Sequence, residues 1–323
     1  MPEDYAAISR SAGVFCNRDR QLVRMIGDDR VTFLHGMCSN DIKNAKPGTV
    51  VPALFLTEHA HVIADFFAWI LDDAILIDID RTLWPRAREH LEKLLVADDV
   101  EFEERESLRV IEVAGPQARI AIRAFANDPE PVAPIEPWRF VKAGDLLLGD
   151  FPRRGTSSVS IIAPDEKTGS IVASITSRVP DAREVGAEVL EIARIEQGMA
   201  RAGVDTSEKS VALEARLNRA ISLNKGCYVG QETVERVTSR GGLKKRLFGL
   251  RFADRRVAER GAAIALDGKQ VGHVTSAVLS PRLGAIGLAI LSYSAWAPGT
   301  VVQIEGGAGG LRATVAEIPF DEH

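Results

Sequence analysis

Lys225-Gly226-Cys227-Tyr228-Val229-Gly230-Gln231-Glu232 sets one thiol between a lysine and two glycines, just before an expected helix start. A cysteine kept for packing sits among apolar neighbours, where its thiol stays protonated and inert. Here Lys225 brings a positive charge, and Gly226 and Gly230 permit a tight turn that leaves the sulfur accessible. A helix beginning at Gln231 would aim its first amides at the thiol and favour thiolate. The residues alone leave two readings open: a buried cysteine in a glycine-rich turn, or a reactive one.

Downstream of the octet the texture is uniform. Apolar runs at 247–252, 262–266, 270–276, 285–291, 301–304 and 311–317 are separated by glycines and prolines, which predicts a small closed or sandwiched β domain. Residues 306–310, Gly-Gly-Ala-Gly-Gly, read as a hairpin tip. Upstream the patterns are mixed. Strands are expected at 20–26, 50–56, 62–69, 74–79, 108–113 and 159–163. Helices are expected after Asp28 or Asp29 up to Gly36, from Pro85 to Leu95, from Pro116 toward Phe125, and over 184–197 and 213–221. Residues 169–178 fit a strand or a helix. The stretch 127–137 holds four prolines and reads as a surface connector. The fold class predicted is α+β, with mixed α/β subdomains over 1–238 and a β-barrel over 239–323.

A chain of 323 residues exceeds one typical core, so two or three domains are expected. With 46% hydrophobic and 26% charged residues it is of ordinary globular composition. The net charge of -5 argues against a general nucleic-acid surface, and the basic stretch 240–256 is the one candidate. Cys16, Cys38 and Cys227 are odd in number and form no C-x-x-C pair, which disfavours a disulfide framework or a zinc site. Three cysteines also fall short of the four that usually hold an iron–sulfur cluster. No signal peptide or membrane-length apolar run is evident, and the compartment expected is reducing and cytoplasmic. No dinucleotide motif, hydrolase triad or metal-ligand spacing stands out; His59 and His61 would share a strand face without a third ligand.

The octet Lys-Gly-Cys-Tyr-x-Gly-Gln-Glu resembles the signature of the YgfZ family, folate-binding proteins related to the glycine cleavage T-protein and to mitochondrial iron–sulfur assembly factors. Arg30 to Asp41 resembles the family's helix and its Thr-Asn-Asp turn, with Cys38 and Ser39 departing from the usual residues. The stretch 57–66 resembles the hairpin that carries the folate-orienting acid. Of the paired aspartates of the T-protein only Asp65 remains, after Ala64, and Trp69 stands at the family tyrosine. Residues 192–205 resemble the Arg-x-Glu-x-Gly segment, with Glu196 at the second pterin-facing carboxylate and Arg194 turned toward structure. Glu214 and Asn218 fall where the family has a proline-glutamate stretch.

The resemblance implies a tetrahydrofolate, or a one-carbon derivative of it, held by Asp65, Trp69, Glu196 and Asn40. It further implies that Cys227, with Lys225 and Gly226, supports assembly or repair of iron–sulfur enzymes, tRNA-modifying ones included. Such enzymes or assembly factors would be its partners. The alternatives are a true aminomethyltransferase, against which the missing first aspartate and the lost tyrosine hydroxyl weigh, and a non-catalytic folate-binding module.

Overall fold

The computed structural model describes residues 2–125, 135–305 and 310–320. Packing divides the chain into two compact units, Met1–Leu56 with Ile63–Leu190 and Arg219–Val229, and Thr57–Val62 with Glu191–Asn218 and Gly230–His323. The sequence reading drew one boundary at 238/239. Most of the expected 127–137 connector, and the 306–309 part of the hairpin tip, lie outside the described residues.

The first unit is built on eleven strands: β1 (Gly13–Asn17), β2 (Arg20–Ile26), β3 (Thr49–Leu56), β4 (Val62–Ile70), β5 (Ile75–Asp80), β6 (Glu101–Glu104), β7 (Leu108–Ala114), β8 (Arg139–Ala143), β9 (Leu146–Asp150), β10 (Ser158–Pro164) and β11 (Arg183–Glu184). They form one sheet in the order β11-β1-β7-β10-β9-β8-β3-β4-β5-β2-β6. Its two halves meet where Thr49 of β3 pairs with Arg139 of β8. The helices of the described residues are α1 (Pro2–Arg10), α2 (Arg30–Met37), α3 (Trp84–Leu94), α4 (Ala118–Phe125), α5 (Thr168–Arg178), α6 (Ala187–Glu196) and α7 (Gln231–Arg240), of which α7 and the end of α6 belong to the second unit.

Strand alternation sorts the side chains onto two faces. On β2, Val23 and Met25 pack with Phe33, Leu34, Phe66 and Leu91 under α2 and α3. Their neighbour Leu22 turns the other way, toward Trp69, Leu76, Phe140 and Phe151. A third cluster places Val14, Ile111 and Ile161 against Ile122, Ile171 and Ile175 of α4 and α5. The segment that fitted either state is therefore helix α5. The expected cap of α2 is present at Asp29, but its carboxylate takes the Asp99 amide at 2.8 Å and makes no cap bond. On α3 Leu91 is fully buried, whereas Leu94, one turn further on, is 38% exposed.

The second unit contains a closed six-stranded barrel, β12 (Lys245–Phe252), β13 (Ala263–Leu266), β14 (Lys269–Ser280), β15 (Gly284–Ser292), β16 (Val301–Ile304) and β17 (Leu311–Ala316). Each expected apolar run is one of these strands, and Phe248, Leu250, Ile264, Val274, Leu291 and Val315 fill the barrel. The expected helix over 213–221 is absent. Arg216 adopts φ 56, outside the right-handed region, and the Glu214 carbonyl accepts the Leu247 amide at 2.7 Å rather than a helical partner. Only a 3-10 turn at Asn218–Ala220 remains. Basic residues of the 240–256 stretch are dispersed: Arg256 pairs with Asp254, and Arg251 lies over Phe320. Among the described residues no helix is long and apolar enough to cross a membrane.

Candidate functional site

Two clusters in the first unit gather residues singled out by sequence, and the second unit holds a third.

The first cluster grows from β4. Alternation puts Asp65, Phe67 and Trp69 on one face and Ala64, Phe66 and Ala68 on the other, among the core under α2 and α3. Opposite Phe67 stands Asp78 of β5, fully buried. Arg20 donates Nε to Asp78 Oδ1 at 2.6 Å, and Arg153 donates Nη2 to Oδ2. Arg154 binds Glu112 through two nitrogens at 2.9 and 3.2 Å, and Asn17 donates to the same carboxylate at 2.6 Å. Burial pushes Asp78 up, but Arg153 and Arg20 outweigh it, so its pKa is held below the usual carboxylate range. Glu112 is likewise raised by burial and lowered further by Arg154 and Arg153. Burial lowers Arg20, while Asp78 and then Asp65 raise it above its ordinary value. Asp65 thus belongs to a charge ladder of Asp65, Arg20, Asp78, Arg153, Glu112 and Arg154. The Arg153 guanidinium lies 4.6 Å over the Phe67 ring. Its side chain is 5% exposed, and its Nη1 has no hydrogen-bond partner among the described residues.

Trp69, expected beside a pterin, is wholly buried between Phe140 and Phe151. Gly149 makes room for it, since a Cβ there would stand 2.7 Å from the indole.

The second cluster is the octet with the 35–41 turn. Lys225 is 8% exposed, and its Nζ donates to the carbonyls of His35, of Cys38 at 2.7 Å and of Asn40 at 3.0 Å. The same ammonium sits 5.0 Å over the Tyr228 ring. Burial lowers its pKa, and Cys38 and Asp41 pull it back upward. The charge expected to activate Cys227 is therefore committed to three backbone dipoles. Cys227 is exposed, whereas Cys38 is buried and its thiol is pushed up to about 11 by desolvation. Gly226 meets open space on the side a Cβ would occupy, so no close approach there demands glycine. Gly230, in the second unit, does need it: φ is 88 and a Cβ would fall 2.7 Å from the Thr57 carbonyl oxygen. Asn40, expected to hold a ligand, instead ties backbone. Its Nδ2 donates to Pro52 O at 2.7 Å and Arg219 O at 3.2 Å, and its Oδ1 accepts the Asp41 amide at 2.9 Å.

In the second unit Glu196, expected to face a pterin, is 5% exposed and accepts from Ser280 Oγ, with Arg282 Nη2 at 3.4 Å. Arg194 bridges Glu191 at 2.6 Å and Asp205 at 2.7 Å and donates to Ser276 at 2.8 Å, the structural role expected of it. Glu214 accepts the Val211 amide at 3.2 Å, and burial raises its pKa.

Sequence reasoning missed Arg20, Asp78, Glu112, Arg153 and Arg154. One signal was present, since Asp78 interrupts the apolar run Ile75-Leu76-Ile77 and a charge inside a buried strand requires a partner.

An α+β unit built on an eleven-stranded sheet and a unit containing a closed six-stranded barrel are thus the parts that hold these clusters. Residues 1–150 match the GCVT N-terminal domain, and residues 245–321 match the Glycine cleavage T-protein C-terminal barrel domain. A chloroplastic protein of Arabidopsis thaliana named as a transferase is 29% identical over 92% of this chain and 68% of its own. An aminomethyltransferase of Thermosipho melanesiensis is 25% identical over 99% of this chain and 88% of its own. The glycine cleavage system aminomethyltransferase T of Bartonella henselae, 20% identical, superposes with a TM-score of 0.89 over 99% of this chain and 89% of that one, which shows the same fold. The chain thus has the fold of the glycine cleavage T-protein, with residues 1–150 and 245–321 similar to its N-terminal and barrel domains.

Proposed function

We propose that this chain is a tetrahydrofolate-dependent transferase of aminomethyltransferase kind, with Asp65 orienting the pterin. Relatives that span nearly its whole length bear that name, which favours this reading over the iron–sulfur role expected from the octet. The observation that carries it is the setting of Asp65. An aspartate at position 64 would face the apolar core where Ala64 now lies, so its absence leaves the face bearing Asp65 unchanged. The residues suit a reduced folate. A pterin edge offers N–H donors beside a carbonyl oxygen, and Asp65 supplies an acceptor in the cluster where Arg153 Nη1 is a buried donor with no hydrogen-bond partner among the described residues. Bound tetrahydrofolate would supply the nitrogen that accepts the one-carbon unit.

Calorimetry with tetrahydrofolate tests this reading. Asp65→Ala should weaken binding by about 1.5–3 kcal/mol, the worth of one charge-assisted hydrogen bond. Unchanged affinity overturns the assignment. A coupled assay with an aminomethylated lipoyl carrier protein then reports transfer, and binding without turnover favours the second reading.

That second reading is support of iron–sulfur enzymes through Cys227. It is favoured by one fact: of the three cysteines only Cys227 is exposed, on a loop held by the Lys225 clamp. Complementation of a strain lacking its counterpart decides it, because Cys227→Ser should fail to restore an iron–sulfur enzyme's activity. Full restoration sinks this second role.

A further inference from the structure

Within the first unit a cavity of about 780 Å³ is lined by Pro52, Arg119, Trp138, Asp150, Pro152 and Arg219 among others, a size ordinary for small-ligand sites. None of the charge-ladder residues lines it. Trp138 holds φ 64, a left-handed conformation that a bulky residue seldom adopts and that gathers at functional sites. The surroundings enforce it: Trp138 N donates to Asp150 O at 2.7 Å, its carbonyl accepts the Val50 amide at 2.8 Å, and its indole stacks on Phe151 at 5.7 Å and 21°. The aromatic wall is therefore preset rather than mobile. Prolines 52 and 152 stiffen the adjoining walls.

The charges are unevenly matched. Arg119 Nε pairs with Asp150 at 2.6 Å, and that carboxylate is 7% exposed. Arg219 has no side-chain hydrogen bond or ion pair among the described residues, yet its backbone is fixed, because Asn40 holds both its carbonyl and that of Pro52. One arginine is thus neutralised and the other is not, so the lining carries a single surplus positive charge beside a flat aromatic surface.

We propose that this cavity binds a flat aromatic monocarboxylate, with its ring against Trp138 and its carboxylate on Arg219. Such a group comes either as a free aryl acid or as the aryl-acid end of a longer metabolite. The site is separate from the Asp65 cluster, so the proposal stands independently of the folate reading.

The test uses the full chain, calorimetry and Trp fluorescence, with 4-aminobenzoate, cyclohexanecarboxylate and inorganic phosphate as probes. Saturable binding of 4-aminobenzoate is expected, weaker for cyclohexanecarboxylate and absent for phosphate. A 4-aminobenzoyl amide lacking a free carboxylate tests the Arg219 contact, and retained affinity overturns it; 4-acetamidobenzoate separates the sources, since binding tighter than that of 4-aminobenzoate assigns the aryl-acid end of a longer molecule. Arg219→Gln, an exposed substitution without bonded partners, should weaken binding at least about tenfold, the loss of a charge-assisted bond. Trp138→Phe should weaken it less, and Asp65→Ala not at all. No saturable binding, equal affinity for the cyclohexane acid, or an unchanged constant in Arg219→Gln overturns the proposal.

Discussion

Replacing Lys225 by methionine tests the geometry of the octet most directly. Methionine keeps the length and apolar stem but removes the donor. The carbonyls of His35, Cys38 and Asn40 then lose one shared ammonium, whose bonds to the latter two measure 2.7 and 3.0 Å. A hydrogen bond to a charged group contributes about 1.5–3 kcal/mol, and three bonds to one ammonium do not add in full. Cys38 is wholly buried, so its carbonyl finds no easy substitute, whereas His35 and Asn40 lie at half-buried positions that water can reach. Relief of the ammonium's desolvation offsets part of the loss, since burial lowers the Lys225 pKa. The net cost expected is about 3 kcal/mol. For a unit of this size that corresponds to a Tm lower by roughly 6–12 °C. Scanning calorimetry of Lys225→Met against the native chain measures it, and hydrogen exchange should localise the loosening to residues 35–41. A Tm within about 2 °C of native would mean that the three bonds contribute almost nothing and that Lys225 serves the thiol after all.

Two further outcomes follow from titration and exposure. The His35 Nδ1 accepts the amides of Ile42 and Lys43, both at 3.3 Å, and burial followed by Lys225 lowers its pKa from 6.5. A lowered folded pKa means that the unfolded chain binds the proton first, so stability is complete above about pH 6.5 and falls as pH drops toward the folded value. His35→Asn keeps an acceptor without a titrating ring and should flatten that limb in urea unfolding between pH 5 and 8. His273 is shifted the same way by burial and persists in both proteins, so identical pH profiles would refute the assignment. Iodoacetamide should label exposed Cys227 within minutes and leave buried Cys38, pushed to about 11, intact until unfolding; mass spectrometry showing Cys38 modified first would contradict the placement of the loop.

What was legible in the sequence was what depends on local pattern. The six barrel strands showed because alternation over 247–317 is broken cleanly by glycines and prolines. Strands Gly13–Asn17, Glu101–Glu104, Arg139–Ala143 and Leu146–Asp150 did not show. Three of them are short and polar or lie beside charged turns, and they are strands because neighbouring strands offer free ladder groups, which no local propensity encodes. The helix expected over 213–221 failed for a related reason, since a distant amide, that of Leu247, claims the Glu214 carbonyl. The charge ladder was the least legible feature. Asp65 apart, each member is an unremarked arginine or acid, and only the folded sheet brings Asp78 to residues 58 and 75 positions away.

The octet illustrates how a motif read as one chemical device separates into parts. Lys225 staples the 35–41 turn, Tyr228 is buried under its ammonium, and the Val229 amide donates to the Gly36 carbonyl at 3.2 Å. Gly230 is required by its backbone angle and by the Thr57 carbonyl, and Gln231 bonds to Glu235 one helical turn on. Lys225, Tyr228 and Gly230 each have a structural reason to be what they are. Cys227 has none: it is exposed, and its thiol makes no hydrogen bond among the described residues. A serine would fill the same space, so Cys227→Ser should leave the fold intact. The scaffold thus fixes the loop that carries Cys227 while its sulfur stays exposed, and the Lys225 ammonium is spent on the carbonyls of the 35–41 turn.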